Sequence, residues 1–192
     1  MSRHIVKIFN ETVAENDILY HLGDWSFGGI QNIWNFRKQL RCKTIHLCLG
    51  NHDEHIRHNT VLPNCISATP YGDVFIDGQN IDPEYPNYVE ATRLFTSVQD
   101  VLTIKHNKYI FFLSHYAHRI WLGSHRGHVH LFGHSHGGLD DKPWGKSMDC
   151  GIDSAKRILG EYRPFSIEEI IDIMDKREIK FIDNHNEKTN IK

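Results

Sequence analysis

Four apolar, strand-like runs in this chain each end in a small residue followed at once by a residue able to hold a metal ion. Ile18–Gly23 leads into Asp24, and Thr44–Gly50 leads into Asn51-His52-Asp53. Tyr109–Ser114 leads into His115, and His128–Gly133 leads into His134-Ser135-His136. Runs of about 4–8 apolar, β-branched and aromatic residues with a glycine boundary read as strands. In open α/β sheets, sites form in the crevice beyond the carboxyl ends of the strands. Set side by side, these runs would gather Asp24, Asn51, His115, His134 and His136 around one point. A divalent cation pair explains that set better than packing does.

The intervening segments supply helices. Ile5, Val6, Phe9 and Val13 recur at helical spacing, as do Ile33, Trp34, Phe36 and Leu40. Ser166 with Glu169, just after Pro164, reads as a capping box opening a helix to about Lys176. Alternating helix and strand predicts α/β layering. Val101–Lys105 and Tyr109–Ser114 flank His106-Asn107-Lys108 as a hairpin, and Lys146–Gly151 reads as a further strand. Residues 59–93 carry Pro63, Pro70, Pro83 and Pro86 with little periodicity. They read as a loop-rich insertion over the site, with a short strand within Tyr71–Asp77. Residues 1–183 then form one domain and 184–192 a polar tail.

Composition excludes several classes. The 192 residues suit one domain with a real core. Net charge is −2, from 22 basic and 24 acidic residues without a block of one sign. That argues against a nucleic-acid coating function, which needs clustered Lys and Arg, but leaves room for a local basic pocket. No stretch has the length and apolarity of a membrane span, and Met1–Val13 is not a signal peptide. Cys42, Cys48, Cys65 and Cys150 form no Cys-x-x-Cys pair and read as reduced and buried, which favours the cytoplasm.

The candidate ligands have distinct chemistry. Asp24 can bridge two cations, Asn51 offers a neutral carbonyl oxygen, and the histidines offer imidazole nitrogens. A nitrogen and oxygen set without thiolate suits manganese first, with iron, zinc or magnesium as alternatives. Two cations about 3.5–4 Å apart can clamp a phosphoryl group for in-line displacement. His52 would then face the leaving group, and Asp53 would fix its tautomer. Taken singly, each residue has a plainer reading: Asp24 as a turn cap, His115 as a core-edge histidine, His134-x-His136 as a surface site. Their joint order favours the functional one. His125, His128 and His130 read as structural, with His128 and His130 on one strand face. His55, His58 and His118 read as solvated groups near the mouth, and Trp25 and Trp121 as core.

Leu22-Gly23-Asp24, Gly50-Asn51-His52-Asp53, Ser114-His115-Tyr116 and Gly133-His134-Ser135-His136 resemble, in order and spacing, the motifs of calcineurin-like metallophosphoesterases. Met148–Asp153 and Arg163–Ser166 resemble the small bacterial and phage-type branch. The resemblance implies a four-layered α/β/β/α sandwich and hydrolysis of a small phosphomonoester or phosphodiester by in-line attack of a metal-bound hydroxide. It implies Asp24 as the bridging ligand, Asn51, His115 and His134 completing one cation site, and His136 serving the other. His52, oriented by Asp53, would stabilise the transition state or protonate the leaving oxygen.

The family's first motif, Asp-x-His at the end of its first strand, is not in this chain. The resemblance therefore implies a strand upstream of Met1, a fragment, or a strand donated by a partner or second copy. It also implies one well-held cation where the family has two. A truncated or degenerate metal-binding protein with little catalysis is the alternative.

Overall fold

Each of the four predicted runs forms a strand, and one helix separates the first two. The computed structural model describes residues 3–62, 68–69, 72–73, 89–140, 142 and 144–181. In chain order, α1 (Arg3–Thr12) leads to β1 (Ile18–His21), α2 (Ile30–Arg37) to β2 (Thr44–Cys48), and the single turn α3 (Glu54–Arg57) follows. Two short antiparallel pairs come next: β3 (Val61–Leu62) with β6 (Val89–Glu90), enclosing β4 (Ala68–Thr69) with β5 (Gly72–Asp73). The remaining strands are β7 (Ser97–Gln99), β8 (Val101–His106), β9 (Tyr109–Ser114), β10 (Val129–Phe132) and β11 (Ser147–Asp149). Helices α4 (Ile152–Leu159) and α5 (Ile167–Met174) close the described chain.

Two larger sheets result, making the fold mixed α/β. The first is parallel, in the order β1-β2-β7. The second runs β11-β10-β9-β8, parallel except for the antiparallel β8–β9 hairpin. The hairpin turn is one residue tighter than the sequence suggests, because His106 pairs with Tyr109. Asn107 takes the left-handed conformation (φ 53°) that such a turn needs.

Alternation along the strands assigns the cores. Leu19, Ile45 and Leu47 join a cluster with Phe9 and Val13 after α1 begins and with Ile33, Trp34, Phe36 and Leu40 around α2. These are the two predicted amphipathic faces. Cys48 lies one residue beyond Leu47, so it points to the opposite face of the sheet. There it joins Phe111, Leu113, Val129, Leu131 and Met148 of the second sheet, together with Ile170 and Met174 of α5. Tyr20 and Leu22 pack against that same cluster. The two sheets therefore meet, and their carboxyl ends come together.

Local chemistry holds the helices. Ser166 and Glu169 form the predicted capping box, and Arg163 grips Glu169 with two bonds of 2.9 and 2.6 Å. Helix α5 ends at Met174, two residues before the expected stop, which is within ordinary end fraying. The buried Arg37 guanidinium donates to the carbonyls of Leu94 (2.8 Å) and Lys43 (3.2 Å), tying α2 to the segments that lead into β7 and β2. Trp25 and Trp121 are core residues, as expected. Cys42 and Cys48 are buried free thiols, and burial pushes Cys48 up to about 12.

Most of the 59–93 insertion lies outside the described residues, as do Cys65 and the 184–192 tail. Of the expected strand within Tyr71–Asp77, Gly72 and Asp73 are described, and they are strand. No described helix is long and apolar enough to cross a membrane.

Candidate metal centre

Register brings the ligands together. Ile18 pairs with Thr44 and His21 with Leu47, so continuing the β1–β2 register past the strand ends sets Asp24 level with Gly50. Leu113 pairs with Leu131, and the same continuation sets His115 level with Gly133, whose N–H donates to the His115 carbonyl at 3.0 Å. One sheet thus delivers Asp24 and Asn51, the other His115 and His134.

Two glycines allow the close approach. A Cβ on Gly50 would stand 2.3 Å from Asp24 Oδ1 and 2.9 Å from His115 Cε1. Gly23 sits at φ 96°, and a Cβ there would stand 2.3 Å from His115 Nδ1. The glycines before Asp24 and Asn51 are thus packing requirements. Asp24 (φ 56°), His134 (φ 59°) and His136 (φ 46°) all hold left-handed backbone conformations. Such conformations cost roughly 1–3 kcal/mol each in residues with a Cβ and concentrate at functional sites.

The convergence is tight. Ligand atoms of Asp24, His115 and His134 all lie within 4.8 Å of one another. Nε2 of His115 is 3.1 Å from Asn51 Oδ1, 3.1 Å from His134 Nδ1 and 3.5 Å from Asp24 Oδ2. The other ring nitrogen of His115 donates to the Leu22 carbonyl at 2.7 Å. That bond fixes the tautomer, leaving Nε2 free to present a lone pair. His115 is 2% exposed, whereas His134 is exposed, so the cluster opens to solvent on the His134 side.

Four acceptor groups thus face one another. A single proton on one ring nitrogen could satisfy one contact and would leave the other lone pairs opposed. A divalent cation would relieve all of them at once. The donor set is oxygen and imidazole nitrogen, which fits manganese, iron, zinc or magnesium.

Asp53 takes a different place from the one expected. Its carboxylate is 2% exposed and accepts three backbone N–H groups: Asp24 at 2.8 Å, Trp25 at 2.7 Å and Gly50 at 2.8 Å. Both oxygens are therefore engaged in joining the β1 and β2 loops, not in orienting His52. His52 is exposed. Its backbone N–H donates to Asp24 Oδ1 at 3.0 Å, and its ring lies against Phe27.

His136 stands outside the cluster. Its Nδ1 is 2.8 Å from Asp153 Oδ2, on an exposed surface. The loop that carries His134 and His136 has its own anchor in Asp149, whose carboxylate accepts the N–H groups of Gly137 (3.0 Å) and Gly151 (2.7 Å). Burial pushes the Asp149 carboxyl up. Asp149 therefore does for β11 and the His134 loop what Asp53 does for β1 and β2.

Sequence reasoning leaves His21 unassigned and reads His130 as structural, which its burial bears out. The Nδ1 of His21 is buried with no hydrogen-bond partner among the described residues. Burial pushes His21 down to about 4, against the pull of the Asp53 and Asp24 charges. His130 is fully buried. Its Nε2 accepts the His118 N–H at 2.9 Å and its Nδ1 donates to the Phe112 carbonyl at 3.1 Å, fixing the loop after β9. His128 precedes β10 instead of sharing its face with His130, and bonds to the Leu122 carbonyl. A cavity of about 400 Å³ opens beside β10 and β11, lined by Arg119, Lys142 and Arg177 together with Asp140 and Asp149.

No protein-family model, curated protein or solved structure matches this chain.

Proposed function

We propose that the chain is a metal-dependent phosphoester hydrolase built as a four-layered α/β/β/α sandwich of the calcineurin-like metallophosphoesterase type. The layering is supported by α1 and α2 packing with one sheet, α5 packing with the other, and the two sheets meeting across Cys48. The observation that carries the functional reading is the meeting of Asp24, Asn51, His115 and His134, drawn from two sheets, with acceptor atoms facing one another.

In this reading those four side chains hold one divalent cation. When bound, such a cation polarises a phosphoryl oxygen and makes a coordinated water acidic enough to attack. The protein's own residues do the rest. Asp53 and Asp149 fix the ligand loops, and the Leu22 carbonyl sets the His115 tautomer. His52, beside Asp24 and open to solvent, is placed to donate a proton or hydrogen bond to the leaving oxygen. His136, freed from Asp153, would be the residue available to a second cation. A strand donated by a partner would add at β1, an edge of the first sheet.

The test is turnover of an activated phosphomonoester and a phosphodiester with added manganese. Release of the alcohol that disappears in Asp24→Ala and His134→Ala supports the reading. No turnover of either ester with tightly bound manganese present argues for the second reading, a binding protein without catalysis. One feature favours that second reading: among the described residues, the acidic and imidazole groups close enough to share a metal ion are Asp24, His115 and His134, a set sized for one cation.

A further inference from the structure

Two aromatic rings stand at the solvent side of the cluster. Phe27 is 56% exposed and Tyr116 is 48% exposed. The Phe27 ring lies 4.9 Å from the His52 ring, and the His52 N–H donates to Asp24. Tyr116 packs edge-on against His115 and His134, with ring centres 4.9 and 4.7 Å away, and its hydroxyl donates to Asn51 Oδ1 at 3.4 Å. Each ring thus touches the cluster or its immediate neighbour.

Neither exposure follows from a shortage of core. Trp25, two residues before Phe27, is fully buried. The loop position of Phe27 is held by Asn32, whose side-chain amide donates to the Phe27 carbonyl at 2.7 Å, with the ring left outside. Isolated exposed hydrophobics are ordinary, but exposed rings gathered at a polar convergence point are the informative kind. Aromatic faces bind other flat rings by stacking, without reading a particular pattern of donors and acceptors.

We propose that Phe27 and Tyr116 form a ring-binding subsite, so that the phosphoester handled here carries a planar aromatic group, a nucleoside base or an aryl ring, and not a sugar or glycerol alone. This rests on the phosphoester reading above. The phosphoryl group would sit over the four ligands. The leaving oxygen would face His52, and the group attached to it would extend along Phe27. Phe27 is then a specificity-determining residue and not itself a ligand to the cation.

The experiment is calorimetric binding of non-hydrolysable phosphonates to the full chain with manganese. Benzylphosphonate and an adenosine 5′-phosphonate are compared with ethylphosphonate. The ring-bearing ligands should bind about tenfold more tightly, the usual order for one stacked ring. Phe27→Leu keeps apolar bulk without a ring and should lower that ratio to about threefold or less. Phe27→Trp should keep it. Circular dichroism of both variants confirms the fold. Tighter binding of the adenosine ligand assigns a nucleotide, and tighter binding of the benzyl ligand an aryl ester. A wild-type ratio near one, or a ratio untouched by Phe27→Leu, overturns the subsite and leaves the phosphoester reading standing. Failure to bind manganese and every phosphonate sinks both.

Discussion

Asp53→Asn should be among the most damaging isosteric changes in this chain, although Asp53 is not one of the converging ligands. The native carboxylate accepts three backbone N–H groups at 2.7–2.8 Å while 2% exposed. Oδ2 receives both Asp24 and Gly50, and Oδ1 receives Trp25. An amide has one acceptor oxygen. Turned to keep Asp24 and Gly50, it points its NH2 at the Trp25 N–H, donor against donor. Turned the other way, it opposes two donors. Charge-assisted bonds contribute roughly 1.5–3 kcal/mol each and neutral ones roughly 0.5–1.5, while a buried orphan donor costs roughly 1–3. The change therefore costs about 3–5 kcal/mol, a large part of a typical folding stability of about 5–15 kcal/mol. With a urea slope near 2 kcal/mol/M, the unfolding midpoint should fall by about 1.5–2.5 M. Asp53→Ala, which strands all three donors, should do no better. Asp153→Asn, on the exposed partner of His136, provides the control and should shift the midpoint little. A midpoint change below about 0.3 M for Asp53→Asn would refute the reasoning and restore Asp53 to a role beside His52 alone.

Manganese at a hundredfold excess over its dissociation constant should stabilise the chain by about 2.7 kcal/mol, read as a rise in melting temperature, and Asp24→Ala or His115→Ala should abolish the rise. Gly50→Ala forces a Cβ to within 2.3 Å of Asp24 Oδ1, so it should cost roughly 1–3 kcal/mol and weaken manganese binding at least tenfold; retained affinity in a titration would contradict the packing account. His130 predicts an acid limb: burial, with a smaller push from the neighbouring His118, lowers it from 6.5 to about 4 in the folded chain. Between those pH values the unfolded chain takes up a proton that the folded chain refuses. Stability should fall by up to about 3 kcal/mol as pH drops from about 6.5 to 4, with no such loss above pH 7. Denaturant titrations of His130→Gln across this range should lose the His130 share of the slope and keep that of His21, which burial also pushes down to about 4, and an unchanged slope would remove His130 as a source.

The strand ends were legible because each carries two signals at once. A β-rich run fixes the strand, and a glycine after it marks where the backbone must come close to a neighbour. Gly50 makes the point: the motif alone suggests a turn, while the structure shows a Cβ there colliding with Asp24. The α1 and α2 faces were legible from apolar spacing, and the α5 start from its capping box. Asp53 was misread because sequence adjacency to His52 suggests a pairwise partner, whereas its three donors come from Asp24, Trp25 and Gly50. Two of these lie 28 and 29 residues away and reach Asp53 only through the β1–β2 register. His130 carried no signal beyond its place in an apolar run. The 59–93 segment has neither period nor cap, so beyond the short strand within Tyr71–Asp77 its residues offered little physical handle.

The position of His136 does not by itself decide between one cation and two. Its partner Asp153 is 46% exposed and the imidazole 76% exposed. Pairs that open to water contribute about 0–1 kcal/mol, because solvent screens the attraction and both side chains lose freedom. Leaving Asp153 is therefore a small cost beside a coordination bond. The backbone of His136 is already left-handed (φ 46°), like that of His134, and the loop is pinned by Asp149 through Gly137, the residue immediately after His136. The imidazole thus has freedom at its side-chain torsions while its backbone stays fixed. Elemental analysis of the manganese-loaded chain should find one tightly held ion per molecule, with a second held weakly and lost on dialysis. His136→Ala should remove only the weak ion. If it removed both, His136 would have to reach the Asp24–His115–His134 cluster, and the pairing with Asp153 would be a property of the metal-free chain alone.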